Sequence, residues 1–172
     1  MNSEPAPGAS DLLDEVRRFH AECMLGHYYE SFDVTSRNCS DQSRGTAAFI
    51  TEFHRLAARC VHEAETSPSQ PVAQAFEVLF ALLEHIDEGL DDVIFFADEG
   101  GAWSVGTDWT SVLPAYFRCL GQSGSAEEYA ACVDKVIADF VEHDRNRYLT
   151  EAWHLATPAQ RLTLGEPGPS KG

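Results

Sequence analysis

The densest run of chemically capable side chains is Glu84, His85, Asp87, Glu88, Asp91 and Asp92, at the end of the apolar stretch 73–83. Read as a helix, that stretch ends where backbone carbonyls are exposed and the dipole is negative, so each carboxylate there costs roughly 0.3–1 kcal/mol. Breaks of a local rule concentrate at functional sites. Three arrangements would relieve the repulsion. Glu84, Glu88 and Asp91 share one face if the helix continues, and their oxygens suit a divalent cation. A basic protein surface would serve equally. So would Arg118, Arg145 and Arg147 folding back from the C-terminal helices. The run 87–91 does not follow the EF-hand loop pattern.

A second concentration lies just beyond. Phe95, Phe96, Trp103 and Trp109 are flanked by Asp98, Glu99 and Asp108. An aromatic patch with an acidic rim is the chemistry of a site for a basic protein or peptide. The same rings would also serve to fasten their segment to a helical core. His20, Cys23 and His27, spaced by three and four, fall near one helix face and suit zinc or another transition metal, with His54 or His62 as a fourth ligand. That face equally reads as the flank of a core stripe. Glu151 and His154 form a single E-x-x-H, whereas a di-iron bundle needs two copies and further carboxylates.

No catalytic residue is assigned. There is no P-loop, no G-x-G-x-x-G and no H-E-x-x-H. The segment 121–125 lacks the final glycine of a nucleophile elbow. Cys39, beside Arg37 and Asp41, would be reactive only if Arg37 lowered its pKa.

Charge narrows the partners. The chain has 172 residues, with 28 acids against 12 Lys and Arg and a net charge of -16. Residues 60–117 hold eleven of the acids and no Lys or Arg. Such a block repels nucleic-acid phosphates and anionic membranes and attracts cations or basic protein surfaces. No apolar run approaches the about 18 residues of a membrane span. The N-terminus lacks a signal-peptide pattern. The five cysteines are widely spaced and odd in number, which fits reduced thiols and a cytoplasmic location.

The elements that must position these groups are mostly helical. Leu12, Val16, Phe19 and Cys23 predict a first helix from a cap at Ser10 or Asp11 to about residue 30. Residues 33–46 read as a polar loop, and Phe49, Phe53, Leu56 and Cys60 mark a second helix over about 46–65. Residues 67–71 break it. A third, over about 72–88, is apolar nearly all round and is placed at the centre, with Gly89 as its stop. Residues 93–106 read as a small β-hairpin turning at 98–101. A fourth helix follows Trp109, starting near Val112 so that Pro114 falls in its first turn. Ser125 with Glu128, and Thr157 with Gln160, are capping-box signatures of later helices, with another over about 145–156 between them. The expected fold is a mostly α, single-domain bundle of about six helices over 10–164, with one hairpin and disordered tails at 1–9 and 165–172.

The stretch 85–120, together with 127–140, the segment around Thr157–Arg161 and the polar segment 32–46, resembles an uncharacterised family of small acidic bacterial helical proteins. The resemblance implies a bacterial cytoplasmic setting and carries over no functional residue. The residues themselves point to a non-enzymatic interaction protein, of antitoxin, immunity or adaptor type. It would bind a basic protein partner through Glu84, Asp87, Glu88, Asp91, Asp92, Asp98, Glu99 and Trp103, without a cofactor. The alternative is a metal-binding protein or metal-dependent enzyme using Glu84, Glu88 and Asp91, or His20, Cys23 and His27.

Overall fold

The computed structural model describes residues 7–28, 39–87 and 105–165. They form seven helices: α1 (Pro7–Met24), α2 (Cys39–Thr66), α3 (Gln70–Asp87), α4 (Trp109–Ser123), α5 (Ala126–Ile137), α6 (Glu142–Leu155) and α7 (Pro158–Leu164). No strand occurs among the described residues. The expected hairpin is therefore not seen, and its residues 93–104 lie outside the described ones.

The helical periods place the core. Leu12, Val16, Phe19 and Cys23 of α1 are buried, as are Phe49, Phe53, Leu56 and Cys60 of α2. The centre is shared rather than held by α3 alone. Helix α3 packs on α1, α2 and α4, while α4 packs also on α2, α5 and α6. Phe76, Leu79 and Leu82 of α3 meet Leu113, Phe117 and Cys119 of α4 in one continuous core. Helix α7 closes on α5 and α6.

Several boundaries differ from the sequence expectation. Helix α1 starts at Pro7, so Ser10 and Asp11 lie inside it. Proline's fixed φ suits a first helical turn, where its missing N–H costs nothing. The helix gives way to a turn after Met24, with Gly26 at φ 79, a left-handed conformation that favours glycine. Helix α2 begins at Cys39, ahead of the expected start near 46. Extending a nucleated helix is cheap, so polar residues continue one that a downstream apolar stripe anchors.

Helix α4 starts at Trp109, and Pro114 lies inside it. Its first turn is fastened at Asp108, whose carbonyl accepts from the N–H groups of Ser111 and Val112. The Asp108 carboxylate accepts from the Thr110 and Ser111 hydroxyls at 2.7 and 2.8 Å. These bonds hold its pKa below the ordinary value.

The C-terminal helices follow their capping signals. Ser125 accepts from the Glu128 N–H, and Thr157 and Gln160 form the full reciprocal box with Pro158 behind it. Helix α6 starts at Glu142, with Glu142 and Asp144 in its first turn, where the dipole favours acids. Arg161 of α7 donates from Nε to the Trp153 carbonyl at 2.8 Å and lies 4.3 Å from the Trp153 ring centroid. Its Nη2 also donates to the His154 carbonyl at 3.1 Å, so one side chain serves two carbonyls at the end of α6. Gly121 lets α4 and α6 approach closely, since a Cβ there would sit 3.2 Å from the Leu155 carbonyl oxygen.

Candidate functional site

Helix α3 carries its apolar surface to Leu83 and then turns acidic. Glu84 is exposed there. Among the described residues, no ion pair joins it to Arg118, Arg145 or Arg147. The ion pairs described lie elsewhere: Glu15 of α1 pairs with Arg55 and Arg59 of α2, and Arg55 pairs also with Glu52 within α2. Asp87 ends α3. Glu88, Asp91, Asp92, Asp98, Glu99 and Trp103 lie outside the described residues, as do Phe95 and Phe96.

Glu84 stands at the edge of a cavity of about 480 Å³ between α3, α4, α5 and the chain just before α4. Its walls include Phe80, Trp109, Tyr116 and Phe140. The Phe80 ring meets Tyr116 edge-on at 5.1 Å and lies 5.7 Å from Trp109. Trp109 in turn meets Phe140 edge-on at 5.3 Å. These rings come from three separate places: α3, α4 and the turn after α5. Gly106, at φ 68, brings the chain along one side. Thr107 also lines the cavity, and its hydroxyl is buried without a hydrogen-bond partner.

Four charged groups border the cavity: Glu77, Glu84 and Asp139 as carboxylates and Lys135 as the cation. The buried Tyr116 hydroxyl interacts with Glu77 and with the Cys132 thiol. Burial pushes the Glu77 carboxyl above its ordinary value, against the pull of Lys135 and the Tyr116 hydrogen bond. Burial likewise raises Tyr116 and Cys132. A raised thiol is protonated at neutral pH and is a poor nucleophile. The arrangement suits binding: apolar walls supply area and a few polar groups supply orientation.

His20 and Cys23 lie on α1, whereas His27 lies in the turn that follows it. Cys23 is fully buried, with its thiol pushed up to about 12 by burial, while His27 is exposed. His20 faces His85 of α3 instead, with ring centroids 6.2 Å apart. Among the described residues, no group of three or more His, Cys, Asp or Glu side chains is placed to hold a metal ion. Glu151 has a buried carboxylate oxygen without a partner, and His154 is exposed. Among the described residues, no helix is long and apolar enough to cross a membrane.

Sequence reasoning singled out Glu84 and the aromatic Trp109 but not Glu77, Lys135 or Asp139. One signal was available: Glu77 is the one acid within the apolar run 72–83. No family model, curated protein or solved structure was found to match the chain.

Proposed function

We propose that this chain is a non-enzymatic interaction protein that binds a basic protein partner at the acidic end of α3. The observation that carries the reading is Glu84, exposed and without an ion pair among the described residues, at the edge of an aromatic-walled cavity. The lack of any Lys or Arg in residues 60–117 supports it, since a single-signed surface steers and selects an oppositely charged partner. On this reading Asp87, Glu88, Asp91, Asp92, Asp98 and Glu99 extend the acidic face beyond Glu84. Trp103 adds an apolar anchor to that face. An antitoxin, immunity or adaptor role in a bacterial cytoplasm suits this chemistry.

The test is native mass spectrometry of the full chain purified gently from its own cells, followed by reconstitution with the identified partner. The expected result is a complex with a basic protein whose affinity falls steeply with salt. The quadruple variant Asp87→Asn, Glu88→Gln, Asp91→Asn, Asp92→Asn should weaken it by tenfold or more. Unchanged binding by that variant removes the reading.

A further inference from the structure

We infer that the cavity between α3, α4 and α5 is a receptor site for a small organic amine, bound as its ammonium ion on an apolar or aromatic body. The inference stands on the cavity itself and not on a basic protein partner.

Three observations converge on that ligand class. The first is size. A cavity of about 480 Å³ falls within the roughly 300–1,000 Å³ typical of small-molecule sites. The second is the wall. Phe80, Trp109, Tyr116 and Phe140 bring aromatic rings together around one space, and the π-faces of such rings attract cations as well as apolar bodies. The third is charge. Glu77, Glu84 and Asp139 outnumber Lys135 at the border, so the site favours a positive ligand over an anion or a neutral molecule. A metal ion would be poorly served by ring carbons. An organic cation uses both features, placing its body among the rings and its ammonium toward the carboxylates.

The polar groups already have separate duties. Lys135 and the Tyr116 hydroxyl interact with Glu77, which leaves Glu84 and Asp139, both exposed, as the carboxylates open to a ligand. The orphan Thr107 hydroxyl is a further hydrogen-bonding group beside the space.

The probe is 2-phenylethylammonium, compared with 2-phenylethanol and 3-phenylpropionate, titrated into the full chain by calorimetry and tryptophan fluorescence. The ammonium should bind at least tenfold more tightly than either comparison compound and change the emission. Trp109→Phe should remove most of that change, because Trp109 lines the cavity. Glu84→Gln and Asp139→Asn alter exposed residues and should leave folding intact. Each should weaken the ammonium about two- to fivefold, the range of an exposed charge pair. The proposal is overturned if none of the three compounds binds, if all bind alike, or if the two carboxylate variants bind the ammonium as the parent does. A basic protein partner that still binds when the amine does not would overturn the cavity site alone. Amine binding without any such partner would overturn only the interaction reading.

Discussion

His54 of α2 donates from Nε2 to the carbonyl oxygen of Val105 at 2.6 Å, across 51 residues of sequence. Val105 is buried, so this bond ties the chain that enters α4 to the second helix, beside the cavity. Replacing His54 with Ala leaves that carbonyl short of a donor. The expected loss is about 1–3 kcal/mol, read as a lower urea midpoint with an unchanged slope. An unaltered midpoint would show that water replaces the imidazole at no cost.

Tyr129 makes a comparable link between α5 and α6. Its hydroxyl is buried and donates to the Ala152 carbonyl. Tyr129→Phe keeps the ring and removes the donor, so the expected cost is again about 1–3 kcal/mol. Chemical denaturation of the variant beside the parent measures it. A cost near that of Tyr129→Ala, which also opens a cavity, would point to packing instead.

Protonation at the α1–α3 contact should destabilise the fold. Burial, with the charge of His85 adding to it, holds the His20 pKa below its ordinary 6.5. The folded state therefore binds this proton less readily than the unfolded chain. Stability is constant with respect to His20 above that value and falls as pH drops from 6.5 toward the lower folded value. Melting temperatures from pH 8 to pH 5 should decline more steeply for the parent than for His20→Asn. Parallel curves would remove His20 as the cause.

The thiols should differ sharply between folded and unfolded chains. Burial pushes Cys23 and Cys60 up to about 12, and both side chains are fully buried. Alkylation by iodoacetamide at pH 8, mapped by mass spectrometry, should leave both unmodified in the native protein. In denaturant both should react fully. Native labelling at Cys60 would mean that α2 opens locally from α4.

The ion pairs of Glu15 give a smaller effect of defined sign. Hydrogen bonds from Arg55 lead the causes that lower its pKa below 4.5. Its contribution is present above that ordinary value and is lost as pH falls through the lower folded one. The pair is largely exposed, so Glu15→Gln should cost less than about 1 kcal/mol, detectable near neutral pH and at low salt. Added salt should erase the difference.

Much of the helical framework was legible in the chain because its signals are local. A period of 3.6 residues fixed the buried faces of Leu12 through Cys23 and of Phe49 through Cys60. The Thr157–Gln160 box and Ser125 marked helix starts through bonds only three residues long. Glu84 stood out for the same reason, as a carboxylate at the wrong end of a helix. Boundaries at Pro7, Cys39 and Trp109 were less legible, since packing decides how far a helix extends into polar residues. The cavity had no local signature at all. Phe80 read only as part of the apolar stretch 73–83, and nothing local joined it to Tyr116, Lys135, Asp139 or Phe140. Only the packing of α3 against α4, with α5 and its following turn alongside, brings these residues around one space. A sequence records which face of a helix is apolar, but the angles and spacings between helices decide whether two such faces close completely or leave room between them.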